Sequence, residues 1–235
     1  RAKWSGRSDK TDWRVRLQIP TGADAVYESI LANNKLLDPL VPSRGIFWPL
    51  TPAVVIQHSA NYNALAQTHS NYPFQAYQNS QVDSLNIIGE FPVQNADDAK
   101  HWVATINFLR TITKMYFGKE QALKGNPPPI MHLSGYGDHM FSKVPVIVNT
   151  FNVELRPGID YISTRQNPDG YSTARTRERM GLPELDDSQT WAPTLSNISV
   201  LVTPVYSRES IKNFSLSEFA RGELSGKGTG EIGFI

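Results

Sequence analysis

The side chains whose types could do chemistry are five histidines, one serine among small residues and a pair of adjacent carboxylates. Their spacing gives them no reaction to perform. His58, His69, His101, His132 and His139 include no HxH or HxxxH pair and no HExxH, the spacings that bring two imidazoles onto one metal ion. Ser134 lies in HLSGYG, but a nucleophile elbow needs glycine two residues before the serine, and His132 stands there. A turn with two glycines fits better. Gly135, Tyr136 and Gly137 lack the third glycine and following helix that hold a pyrophosphate, and no Walker-type loop is present. Asp97 and Asp98 fall in the first turn of a predicted helix, where they serve the helix dipole. With no cysteine there is no thiol nucleophile, thiolate ligand or disulfide. The sequence assigns no catalytic, cofactor-binding or metal-binding residue, expects no cofactor, and reads as a non-enzyme.

The segment HSNYPFQAYQNS sets Tyr72, Phe74 and Tyr77 among amides. Residues 53–93 contain no Lys or Arg, which a nucleic-acid stacking platform needs beside its aromatics, so these rings are expected to pack on a sheet face.

The elements around these residues begin with a helix over 95–118. Asn95 is a natural N-cap with Asp98 three residues on. Trp102, Ile106, Leu109, Ile112 and Tyr116 recur at steps of three and four, and Gly118 is the expected stop. Trp102, Ile106 and Leu109 are the predicted core of that helix, facing Leu85, Ile87 and Phe91. Strands are expected at 13–20, 53–62, 71–78, 84–93, 130–136, 144–155 and 197–206, from alternation or short apolar runs. The phase of 144–155 shifts between Val148 and Phe151, which predicts a bulge. Pro42, Pro49 and Pro52 make 41–52 an edge segment or loop, and Pro204 confines the far end of the last strand to an edge. The fold class is mainly β with one prominent α-helix, a β-sandwich or barrel with a flanking helix and long loops.

Lys plus Arg (23) nearly balance Asp plus Glu (22), which argues against duplex-DNA binding by phosphate neutralisation. No apolar run is long enough for a membrane span, and residues 1–10 lack the apolar core of a signal peptide. The chain reads as one domain of 235 residues, with an N-terminal arm at 1–11, an excursion at 156–196 and a C-terminal tail at 207–235. An excursion of that length is usually functional or disordered. Its Arg165, Arg175, Arg177 and Arg179 are the predicted inter-subunit contacts.

Four stretches, DWRVRLQIP (12–20), THSNYPFQAYQNSQVDSLNIIGEF (68–91), INFLRTITKMYFG (106–118) and PPPIMHLSGYG (127–137), carry a resemblance. With the terminal SLSEFARGEL, they make the chain similar to the baseplate–tail-tube junction, or tube-initiator, proteins of contractile-tailed, T4-like bacteriophages and cyanophages. The resemblance covers most of 12–160, leaves out the excursion, and rests on scaffold motifs. It implies a tail-tube fold, six copies in a ring, partners among baseplate hub and tail-tube proteins, and a place in the virion after assembly in the host cytoplasm. DNA would pass the lumen without specific binding, and no membrane is involved. The near alternative is the main tail-tube subunit; from other classes come a tail-associated hydrolase and a carbohydrate-binding β-sandwich.

Overall fold

The computed structural model describes residues 13–20, 35–117, 125–165, 189–226 and 232–235. Seven strands form one antiparallel sheet: β1 (Arg16–Gln18), β2 (Gly45–Phe47), β3 (Ala53–Val55), β6 (Leu85–Pro92), β7 (Met131–Gly135), β8 (Phe141–Glu154) and β11 (Leu195–Pro204). Their order is β2-β1-β7-β8-β11-β6-β3. The chain is mainly β; among the described residues there is one long helix, α1 (Ala96–Ile112), and two short ones, α2 (Arg208–Lys212) and α3 (Leu216–Ala220).

The two edge strands are consecutive in sequence, and this forces the sheet to curl. Seven strands laid flat would hold β2 and β3 about 29 Å apart, whereas the link from Phe47 to Ala53 stretches at most about 21 Å. The result is an open barrel whose seam the link crosses. Trp48, fully buried, starts the link and lies on Gly89 of β6, its ring 6.5 Å from Phe91. From the other side Tyr136 Oη donates to the Pro52 carbonyl at 3.0 Å. Gly89 has no Cβ because the indole occupies that space.

Alternation explains most of the sheet. On β6, Leu85, Ile87, Gly89 and Phe91 face the core while Ile88 and Glu90 face water. Val15, Leu17 and Ile19 around β1 are buried as their spacing predicts, but Trp13 is half exposed. The bulge falls where the apolar phase shifts: the β8–β11 register slips by one residue at Asn149, whose amide donates to Thr203 Oγ1. β11 is a central strand between β8 and β6 for most of its length, and its far end is one-sided as expected: β6 pairing stops at Val202, and Pro204 pairs with β8 alone. Pro204 is tolerated because it is the strand's last residue, where β6 pairing has already ended.

α1 is capped as predicted, Asn95 Oδ1 accepting the Asp98 N–H at 2.8 Å. Asp98 returns a bond to the Gln94 N–H at 3.1 Å. The helix ends at Ile112, short of Gly118, which lies outside the described residues. Thr113 Oγ1 donates to the carbonyls of Leu109 and Arg110, diverting the last turn. Trp102, Ile106 and Leu109 are buried in one cluster with Leu85, Ile87 and Phe91. The helix itself rests on β2, on a 3₁₀ turn at Asp38–Leu40, and on a small ribbon, β9 (Tyr161–Ser163) with β10 (Trp191–Pro193). Trp102 Nε1 donates to Ser196 Oγ on β11 at 2.7 Å.

His101, on the same helix, is buried against the Phe47 ring at 5.0 Å. Burial pushes its pKa down from 6.5 to about 3. The folded state therefore stays neutral at this site while the unfolded chain takes up a proton below pH 6.5, so stability falls as pH drops from about 6.5 towards 3. Between pH 6.5 and 5.5 the loss amounts to about 1 kcal/mol. The melting temperature of the wild-type protein should fall as pH drops over that range, and His101→Leu should flatten the dependence. Parallel curves for the two proteins would show that His101 does not carry it.

Candidate functional site

The strands β4 (His58–Leu65) and β5 (Phe74–Val82) do not join the barrel; among the described residues they pair only with each other. They continue β3 and β6 past a break at residues 56–57, where the Asp83 N–H still donates to the Gln57 carbonyl at 2.9 Å. The product is a long hairpin arm rooted at the barrel's β3–β6 edge and reaching about 27 Å beyond it, at roughly 3.4 Å per residue. Between residues 45 and 82 there is no Asp, Glu, Lys or Arg. Tyr62 stands opposite Tyr77 with rings edge to face at 5.6 Å, and Leu65 stands opposite Phe74.

The aromatics of this arm overturn the packing expected of them. Tyr72 is 83 %, Phe74 62 % and Tyr77 57 % exposed. Strand alternation identifies a face but not its occupant, and here no other part of the described chain covers it.

At the root of the arm lies a cleft of about 570 Å³, lined mainly by apolar atoms of Ile56, Met140, Phe219 and Phe234, with His58 and Arg221 at its polar side. The C-terminal segment forms one wall. Tyr206 and Phe234 stack at 4.4 Å, and Phe214 packs against both Phe219 and Phe234. Burial raises the Tyr206 phenol pKa, and the bond that its oxygen accepts from the Ile235 N–H opposes the shift. The described part of residues 207–235, expected as a C-terminal tail, thus contains two short helices pinned by an aromatic cluster. Arg221 is already engaged, donating to the Ser217 carbonyl at 3.2 Å and lying 3.7 Å from a Glu223 carboxylate oxygen.

The excursion needs a correction. Its two ends are β9 and β10, with Ile162 and Ala192 turned inwards and Ala192 fully buried in the core cluster. Residues 156–165 and 189–196 therefore belong to the domain. Short strands of three residues give no readable alternation, which hid them. Of the predicted contacts, Arg165 follows β9, exposed, its N–H donating to Ser163 Oγ at 3.1 Å. Arg175, Arg177 and Arg179 lie outside the described residues.

The residues that invited chemistry are dispersed. Ser134 sits in β7 with its hydroxyl accepting the Lys143 N–H at 3.2 Å. Tyr136 and Gly137 turn the β7–β8 hairpin with φ of 57° and 89°. His132, on β7, has its pKa lowered by burial and by the nearby Lys143. His58 and His139 both border the cleft. Among the described residues no group of three His, Asp or Glu side chains is placed to hold a metal ion, and no helix is long and apolar enough to cross a membrane.

No family model matches this chain, and no curated protein matches it.

Proposed function

We propose that this protein is a structural subunit of a phage tail, forming a six-fold ring that joins the baseplate hub to the tail tube and starts tube assembly. The observation that carries the reading is the arm. The barrel closes its own seam with Trp48 and buries its own core, so the fold does not need a two-stranded extension. A lone hairpin is at best marginally stable in water, and both outer edges of this one lack a strand partner among the described residues. Such an edge is a template for another chain. Neither Lys nor Glu blunts it, since the arm is uncharged.

Contacts made by an arm on one copy and a different surface on the next are heterologous and close as a ring or run on as a filament. The sequence resemblance to tube-initiator proteins favours closure with six copies. A near-neutral chain also suits a conduit, because a strongly basic lumen would retain DNA.

Electron micrographs of the concentrated protein should show rings of six. Shortening the arm by replacing residues 63–76 with a two-residue Asn-Gly turn should leave the melting temperature within about 3 °C while abolishing rings, since no side chain removed is buried. Rings that persist without the arm tip would overturn this reading of the arm, and a different symmetry would overturn the six-fold assembly.

A further inference from the structure

We infer that the tip of the arm of one copy docks in the cleft at the root of the arm of the next copy. The inference deepens the ring reading and rests on its premise that identical copies join. Three observations select this occupant. First, the tip carries Leu65, Tyr72 and Phe74, all more than half exposed, and the cleft offers Ile56, Met140, Phe219 and Phe234. Apolar convex and apolar concave surfaces thus occur on the same molecule.

Second, charge fits. The arm has no charged side chain, and the cleft's Arg221 is already held by Ser217 and Glu223, so docking an uncharged hairpin leaves no ion newly unpaired. Third, the reach fits only a second copy. The arm cannot satisfy its own cleft, because the cleft is built on the arm's root, about 27 Å from the tip. Occupancy must come from a second copy. Because the two surfaces are different, an open chain of copies keeps one free tip and one free cleft, at its two ends, until the ring closes.

The absence of cysteine makes the test clean, since every thiol will be an engineered one. Phe74→Cys marks the tip and Met140→Cys the cleft; both side chains are partly exposed, so both variants should melt with the wild type. Mixed at high concentration under mild oxidation, the two single variants should give a cross-linked dimer. The double variant should convert most of the 26.3 kDa band into a ladder of its multiples. A second pair, Leu65→Cys with Ile56→Cys, repeats the measurement should either first variant fail to fold.

Imaging of the same samples separates the two ideas. Cross-links with rings support both. Cross-links without rings support tip-in-cleft docking and overturn six-fold closure. Rings without tip-to-cleft cross-links overturn the docking and leave the ring reading standing. Phe74→Cys dimers in place of mixed ones would mean that arms pair with arms, and they overturn the docking. Neither rings nor cross-links overturns both.

Discussion

Leu109→Ala should lower the unfolding free energy by about 2 to 5 kcal/mol, the range for deleting a buried leucine side chain and leaving a cavity. Leu109 is fully buried on α1, in the same cluster as Leu85, Ile87 and Phe91. The helix is held on one side by the 3₁₀ turn and β2 and on the other by the β9–β10 ribbon, which leaves the site little freedom to collapse. At this chain length each kcal/mol moves the melting temperature by about 2–4 °C, so a fall of about 4–20 °C is expected. A melting temperature equal to the wild type would refute the placement of the helix in the core. Leu109→Met, which conserves volume, should cost less than about 1.5 kcal/mol and separates cavity formation from a general intolerance of change.

Gly89→Ala should be the second costly substitution, and its sign is the informative part. Where the backbone permits, replacing glycine by alanine stabilises by about 0.4–1 kcal/mol through the unfolded chain. Here the added methyl would overlap the Trp48 indole and lie 3.2 Å from Pro52 Cβ. Strand and link cannot both keep their positions. If the ring shifts within its pocket the cost is about 1–3 kcal/mol; if Trp48 leaves the core it approaches the roughly 3–5 kcal/mol of losing a buried tryptophan. Because Trp48 covers the seam of the barrel, either outcome also loosens the link between β2 and β3. Trp48→Leu in the Gly89→Ala background should recover part of the loss, a positive coupling between the two sites. Additive effects would place the indole elsewhere.

The parts of the fold legible in the sequence were those whose signals are local. Asn95 and Asp98 cap the helix through bonds spanning three and four residues, and the bulge at Asn149 is visible as a slip in apolar phase. Leu85 to Phe91 alternate because one sheet face is buried along its length. What was missed depended on partners distant in sequence. Pro204 marks the one-sided end of β11, but the strand's central place comes from neighbours roughly 50 and more than 100 residues earlier. Trp13 alternates correctly yet overhangs the end of β1. Gly118 is a good helix stop, but Thr113 ends the helix first with its own hydroxyl.

The candidate site was the least legible part, for a related reason. Tyr72, Phe74 and Tyr77 have the composition of a buried strand yet lie exposed, and a single sequence does not say whether a chain covers such a face. One signal could have separated the two: the uncharged stretch from 45 to 82 runs well past the length of any one core strand. The cleft could not have been read at all, since Ile56, Met140 and Phe219 come together only through the fold.

The arm also divides the molecule into parts that open on different clocks. Amides of β6, β8 and β11 lie at the centre of the sheet and exchange with deuterium only when the barrel opens; those of β4 and β5 sit in a ribbon with water on both faces and few buried side chains. In the free subunit the arm exchanges orders of magnitude faster than the barrel, without any change in the global unfolding free energy. If copies assemble as proposed, a neighbour takes the place of a third and fourth strand, and slowed exchange in residues 58–82 should report how many arms are engaged.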